Sequence, residues 1–104
     1  MPVLVVFSTF PDPDLAAEVA RTVVGERLCA CANLVPAVRS IYAWEGKLCD
    51  ETETLAIMKT TSDRLDALIA RLRGLHPYDV PEIIAVPVAG GHTAYLAWVS
   101  SIDA

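Results

Sequence analysis

Residues 40–48, with the sequence SIYAWEGKL, predict a tight hairpin, because a turn at Gly46 follows a run of β-branched and aromatic residues. The arm before the turn is extended over residues 29–46, apart from a break at Pro36, and the returning arm covers residues 50–60. Eighteen extended residues at ~3.3 Å each would span roughly 55 Å, whereas a domain of this length is roughly 33 Å across. We therefore expect the hairpin to project beyond its own sheet.

Helix-start and helix-stop signals flank the hairpin on both sides. Asp12, or Asp14 one step later, can cap a first helix that has Pro13 in its first turn. Ser62 is predicted to cap a second helix that ends at Gly74. A short closing helix is marked by Tyr95, Trp98, Val99 and Ile102.

Apolar runs at residues 3–7 and 82–88 predict the two remaining strands. The element order is then β-α-β-β-α-β followed by a terminal helix. This is the split β-α-β, ferredoxin-like arrangement of the α+β class, in which four antiparallel strands carry both long helices on one face. We expect one such domain over residues 1–104.

Charge and composition exclude several function classes. The net charge is −5, and basic residues are scattered rather than clustered, which argues against nucleic acid and anionic membranes as partners. Apolar stretches are too short to span a bilayer. The N-terminus lacks a signal-peptide pattern, and three cysteines form no disulfide framework, so we expect a cytoplasmic protein with reduced thiols.

The chain is richer in apolar residues than its size explains. Ala, Val, Ile, Leu, Met, Phe, Trp, Cys and Gly make up 58 of 104 residues, about 56% against roughly 45–50% in ordinary soluble domains. The apolar members of the hairpin are Ile41, Tyr42, Trp44 and Leu48. We expect these to pack on a neighbouring subunit in a closed ring, because bare projecting strands would aggregate.

The sequence CAC invites a metal-binding hypothesis. Cys29 and Cys31 would share one face of a strand, where two thiolates can hold a soft ion such as Cu(I). A structural zinc site needs four ligands, and the paired spacing for it is absent. The alternative is that these cysteines are small buried hydrophobes. Cys49, beside the hairpin turn, is expected to be the more exposed thiol.

Residues 76–82, HPYDVPE, combine site chemistry with a stiff backbone. Two prolines fix the direction of Tyr78, and His76, Asp79 and Glu82 carry polar groups. Two interpretations stay open: a ligand site, or a connector in which His76 meets the end of a helix dipole. His92 is expected to be a helix-start residue.

No catalytic constellation is evident, so we do not expect an enzyme. The sequence has no phosphate-binding glycine loop and no Ser-His-Asp order. One enzymatic alternative is a small tautomerase, in which Pro2, freed by removal of Met1, would act as a general base. The carboxylates Asp50, Glu51 and Glu53 are predicted to form a solvated strand start that binds a hard cation only weakly.

Five segments together resemble the CutA divalent-cation-tolerance family: ERLCACANLVP, SIYAWEGKL, IMKTT, LHPYDVPEIIAVPV and YLAWV. Their order and spacing are highly specific, and the resemblance runs nearly end to end. It implies a ferredoxin-like protomer and a tight homotrimer built through long hairpin strands. It also implies a link to tolerance of copper and other divalent metals, with no catalytic reaction firmly attached to the fold.

The resemblance also assigns residues to a cleft and to a metal site. The residues that match the family's cleft signature are Tyr42, Trp44, Glu45, Lys59, Tyr78, Glu82 and Trp98. The candidate metal ligands are His76 and Cys31, which match the family pattern, and Cys49, which is an addition of this sequence and is included as an exposed thiol. Copper sites proposed in the family use positions that are Ser8 and Leu75 here, so copper or another divalent cation is expected to bind weakly and not to be needed for folding.

The leading hypothesis is therefore a cytoplasmic homotrimer that contributes to divalent-metal tolerance by weak ion binding. A second hypothesis is a signalling trimer similar to PII proteins, which would bind a small anionic metabolite in a cleft between subunits. Lys47 and Lys59 in the cleft would favour the anion, whereas the acidic charge balance of the chain and the His and Cys ligands favour the metal.

Overall fold

Four antiparallel strands and three helices follow the predicted order over residues 2–102, the part of the chain that this computed structural model describes. The elements are β1 (Val3–Phe10), α1 (Pro13–Gly25), β2 (Cys31–Trp44), β3 (Lys47–Thr61), α2 (Leu65–Leu75), β4 (Ile84–Pro87) and α3 (Thr93–Ser100). The strand order is β2-β3-β1-β4, with antiparallel pairing throughout. The predicted ferredoxin-like class is confirmed. Within this range no helix is long and apolar enough to cross a membrane.

The start of α1 is confirmed and the start of α2 is corrected. Asp12 caps α1 by accepting the backbone N–H of Leu15 at 2.8 Å. Ser62 does not cap α2, which begins three residues later; its own N–H donates to the carbonyl of Pro2 at 3.0 Å. A turn over residues 62–64 separates β3 from α2, so the serine lies too far from the helix to serve as its cap.

The core lies between the sheet and the two long helices. Alternate strand residues point to this helix-covered face. The buried side chains here are Val6, Phe10, Ala56 and Met58 from the strands, and Val19, Val23, Leu68 and Leu72 from the helices. Both long helices thus turn an apolar face toward the sheet.

The opposite side of the sheet, which we call the open face, carries many apolar residues that are not fully buried. These are Val5, Phe7, Leu55 and Ile57, which are half-buried, together with exposed Ile84 and Val86. The short helix α3 lies at one end of this face, where the Tyr95 hydroxyl is 3.5 Å from the sulfur of Cys31. Most of the open face is left uncovered in a single chain.

The hairpin formed by β2 and β3 extends beyond the rest of the sheet, as expected. Pairing of β1 with β3 ends at Thr54, so the remainder of β3 pairs only with β2. The molecule measures 44 Å in its longest dimension against 25 and 22 Å in the others. At the tip, Glu45 and Gly46 both have positive φ, 49° and 78°, as a type I′ turn requires.

A β-bulge interrupts the first arm at the predicted break. Val35 pairs with Leu55 and Val38 pairs with Glu53. Three residue steps along β2 therefore correspond to two along β3. Ala37 absorbs the extra residue with φ of 61°. Beyond this point the even-numbered residues of β2, rather than the odd-numbered ones, lie on the open face.

Candidate functional site

A cleft of about 570 Å³ lies where the hairpin meets the connector, which we define as residues 76–83 between α2 and β4. Two kinds of side chain dominate its lining. Three are aromatic, namely Tyr42, Trp44 and Tyr78, and three are carboxylates, namely Glu53, Asp79 and Glu82. The cleft therefore combines negative charge with aromatic walls.

His76 fixes the path of the connector. Its ring stacks on Phe10, with centroids 4.5 Å apart, and its Nε2 lies 2.8 Å from the carbonyl oxygen of Thr9. Because a carbonyl only accepts, Nε2 must carry the proton. The other nitrogen, Nδ1, then accepts the backbone N–H of Tyr78 at 3.2 Å. Burial lowers the pKa of His76, although Thr9 and Glu53 act in the opposite direction.

Both ring nitrogens of His76 are thus engaged, and neither offers a free lone pair to a metal ion. This geometry argues against His76 as a metal ligand and supports the connector interpretation of residues 76–82. The imidazole holds the chain direction after α2, which places Tyr78 against the hairpin.

Tyr78 joins the connector to the hairpin through the carboxylate of Glu53. Its hydroxyl donates to Oε2 of Glu53 at 2.7 Å. Glu53 is only 6% exposed, so its prediction as part of a solvated strand start was wrong. The sequence feature that indicates its burial is its position two residues before Leu55, which places both side chains on the same side of β3. Burial, and then the bond to Glu53, raises the pKa of Tyr78.

The phenols of the cleft remain protonated at neutral pH. Loss of hydration raises the pKa of Tyr42 to about 12, and the nearby Glu51 adds to the effect. Glu51 and Glu53 also raise the pKa of Tyr78. The charge of this region therefore comes from carboxylates, while the tyrosines act as neutral donors.

The cleft contains only part of the signature set implied by the resemblance. Tyr42, Trp44, Tyr78 and Glu82 line it. Glu45 lies in the hairpin turn, and Lys59 bonds Asn33 on the open face. Trp98 lines a separate cavity of about 200 Å³ beside Cys29. Two further carboxylates line the cleft: Asp79, which belongs to the connector considered as a ligand site, and Glu53, which the sequence did not suggest as a site residue.

The three candidate metal ligands do not converge within one chain. Cys31 pairs with Lys59 and Cys49 pairs with Tyr42, and the ten residues that separate positions 49 and 59 along β3 correspond to about 33 Å. His76 contacts Thr9, whose partner in β3 is Leu55. Among residues 2–102 no group of three or more His, Cys, Asp or Glu side chains is placed to hold a metal ion.

The CAC pair also fails to form an exposed thiolate pair. Cys29 is 1% exposed, and burial raises the pKa of its thiol to about 12. This placement supports the alternative interpretation of Cys29 as a small buried hydrophobe. Cys31 is half-buried and lies against Tyr95.

These features define a class of protein: a ferredoxin-like α+β domain with a long hairpin, an uncovered sheet face and an acidic, aromatic cleft. The family model described as CutA1 divalent ion tolerance protein matches residues 4–102. The chain belongs to the CutA1 divalent ion tolerance protein family.

Individual relatives agree with this assignment. The divalent-cation tolerance protein CutA of Thermus thermophilus is 44% identical over 95 residues, which cover 91% of this chain and 92% of that protein. The chloroplastic protein CutA 1 of rice is 42% identical over 97% of this chain. The crystal structure of CutA from Xylella fastidiosa matches with a TM-score of 0.94 and 40% identity, covering 98% of each chain. The chain spans just over half the length of the rice and mouse relatives, 57% and 54%.

Proposed function

We propose that this chain contributes to divalent-cation tolerance as a cytoplasmic homotrimer that binds a divalent cation weakly at the carboxylates of its cleft. Family membership supports the link to cation tolerance. The observation that carries the binding site is the charge of the cleft lining. Glu53, Asp79 and Glu82 are present there, and no lysine or arginine of the described residues lines it.

The donor set favours a hard ion over copper. Carboxylate and hydroxyl oxygens suit ions such as Mn²⁺ or Mg²⁺, whereas copper prefers imidazole and thiolate ligands. His76, Cys31 and Cys49 are dispersed, and His76 has both nitrogens in hydrogen bonds. Because the described residues do not form a cluster of three close ligands, an ion here keeps several waters. Weak binding follows.

The exposed apolar surface supports a closed oligomer. Leu48 is 82% exposed, Ile41 60% and Ile84 54%, and they lie on the hairpin and the open face. A ring of subunits would cover the open face of each chain with its neighbour and would leave no projecting strand edge bare. The number of three subunits is what the family resemblance implies. The exposed apolar surface of the hairpin and the open face is the area that such a trimer would bury.

The two alternative functions find less support in this geometry. A small anionic metabolite would need cationic partners, yet Lys47 and Lys59 are both outside the lining of the cleft. A tautomerase would need Pro2 beside a substrate pocket, and Pro2 lines neither the cleft nor the smaller cavity beside Cys29.

Calorimetry with Mn²⁺ and Cu²⁺ on the intact protein tests the proposed ion site. We expect the double variant Asp79→Asn, Glu82→Gln to lose most Mn²⁺ affinity, because two charged oxygen donors become neutral. The matched control, Asp14→Asn with Glu18→Gln on α1, removes the same charge away from the cleft. Unchanged affinity in the cleft variant would refute the site. Native mass spectrometry of the same samples counts the subunits.

A further inference from the structure

A single chain leaves opposite charges unpaired at the two ends of its open face. The carboxylates of Glu53, Asp79 and Glu82 line the cleft at one end, and no lysine or arginine of the described residues lines it with them. The ammonium group of Lys59 lies at the other end. Within the described part of the chain, neither this ammonium nor the three carboxylates form an ion pair.

Lys59 is half-buried in a largely apolar part of the open face. Its cross-strand partners are Val5 in β1 and Cys31 in β2. The ammonium group donates to the side-chain oxygen of Asn33. This amide oxygen accepts from one of the three donors of an ammonium group and does not neutralise its charge. Solvent is therefore the main partner of Lys59 in a single chain.

The lysine and the cleft carboxylates cannot neutralise each other within one chain. Lys59 and Glu53 lie on the same side of β3, because alternate residues of a strand share a face. The strand positions 53 and 59 are about 20 Å apart. An ion pair requires nitrogen and oxygen to approach within about 4 Å. The two charged ends of the open face are thus separate in the protomer.

A neighbouring subunit that covers the open face would remove water from both charged ends. Burial of a charge without a counter-charge is strongly unfavourable, and a hydrogen-bonded counter-charge offsets much of that cost. A second copy of this chain carries both the lysine and the carboxylates. Head-to-tail contact in a closed ring would bring the basic end of one open face against the acidic end of the next, and would repeat this pairing at every interface.

We infer that Lys59 of each subunit enters the acidic cleft of the next subunit, where its ammonium group pairs with the carboxylates of Glu53, Asp79 and Glu82. The cleft, of about 570 Å³, also offers the ring of Tyr42 to the alkyl part of the lysine. This inference rests on the homotrimer of the proposed function and names the residue that the neighbour contributes. A divalent cation would share these carboxylates with the ammonium group, which is consistent with weak binding.

Charge reversal followed by charge exchange tests the pairing on the intact protein. Lys59→Glu would place a carboxylate against three others, and we expect it to raise the subunit dissociation constant by about 100-fold or more, measured by sedimentation. Adding Glu82→Lys or Asp79→Lys to the same chain should restore assembly, because the exchanged charges attract each other again. Since these positions are far from Lys59 within a chain, restoration reports a contact between subunits.

Three further variants serve as controls. Arg73→Glu makes the same charge change on the exposed side of α2 and should leave assembly unchanged. Lys47→Glu changes the lysine at the hairpin tip and should have a smaller effect than Lys59→Glu. Lys59→Met keeps an unbranched apolar chain, so it reports on the pairing even if Lys59→Glu does not fold. Its effect on assembly should not add to that of Glu82→Gln, because both remove the same interaction.

Retained assembly in Lys59→Glu, or failure of both exchanged lysines to restore it, would overturn the inference. Additive effects of Lys59→Met and Glu82→Gln would do the same, as would a larger effect of Lys47→Glu. Circular dichroism checks that each variant is folded. A monomeric parent protein would overturn the inference and the proposed trimer together, whereas an oligomeric parent without coupling between these positions would overturn the inference alone.

Discussion

The hydroxyl of Tyr78 donates to the carboxylate of Glu53 at 2.7 Å, which ties the connector after α2 to the base of the hairpin. The two residues are 25 positions apart in sequence. Since His76 holds the backbone of Tyr78 at its Nδ1, the tyrosine is fixed at both its amide and its hydroxyl. The wall of the cleft is therefore anchored to β1 and β3 rather than left as a free loop.

Tyr78→Phe should destabilise the protein by about 1–3 kcal/mol, because it leaves the buried Glu53 carboxylate without its protein donor. The free energy of unfolding from denaturant titration measures this loss. Tyr95→Phe is the matched control, since its hydroxyl contacts the weakly bonding thiol of Cys31, and it should cost much less. Equal losses in the two variants would contradict the importance of the Glu53 bond.

The protonation of His76 should make stability depend on pH. Its pKa is lowered in the folded protein, mainly by burial, so the unfolded chain takes up a proton first as the pH falls. Stability is therefore complete above the unfolded value of about 6.5 and declines below it, until the folded histidine also titrates. Protonated Nδ1 could no longer accept from Tyr78.

Denaturant unfolding between about pH 7.5 and about pH 5.5 tests this component. His76→Gln should be less stable at neutral pH by about 1–2 kcal/mol and should show a smaller decline on acidification. His92→Gln is the control, because His92 is exposed and makes no side-chain cap bond to α3. If the stability of His76→Gln fell on acidification as much as that of the parent protein, the pH dependence would belong to groups other than His76.

Trp44→Glu should dissociate the proposed trimer. Trp44 is 49% exposed in the single chain and lies near the tip of the projecting hairpin, where assembly would bury an unpaired charge at a cost of several kcal/mol. Light scattering measures the mass. Ala70→Glu, on the exposed side of α2, should leave it unchanged. A monomeric parent protein would disprove the oligomer model outright.

Substitution by alanine should change the stability in opposite directions at two glycines. Gly46 has φ of 78°, a left-handed conformation that costs an alanine roughly 1–2 kcal/mol. Gly74 lies within α2 with nothing within 4 Å of an added Cβ, so Gly74→Ala should stabilise the chain by about 0.5 kcal/mol. Thermal unfolding of both variants checks the signs, and a stabilising Gly46→Ala would contradict the turn assignment.

Local patterns were sufficient to predict most of the fold. The Asp12 cap and the turn at Gly46 depend on neighbouring residues, and the structure contains both. The helix start at Ser62 was wrong because the turn that follows β3 involves contacts with Pro2, which is distant in sequence. Propensity alone does not carry that information.

The site was less predictable, because it depends on which segments meet. The connector suggested Tyr78 and Glu82, and both line the cleft. Glu53 appeared to belong to a charged, solvated run, since nothing local shows that a distant tyrosine covers it. Conversely, Lys59 and Trp98 lie outside the cleft although they belong to the same signature. A shared motif identifies relatives without specifying which of its members face one another.

The bulge at Ala37 sets the phase of the whole hairpin. Because of the bulge, Tyr42 and Trp44 share a face with Glu53; a regular strand with the same residues would place Ile41 and Ala43 there instead. Deletion of Ala37 would remove the bulge and leave two steps in each strand between the pairs on either side of it, so Val38 would still pair with Glu53 and the later residues would keep their faces. The phase is instead sensitive between the bulge and the turn, where one inserted or deleted residue would exchange every inward and outward position beyond it, and where changes of two residues should be tolerated better.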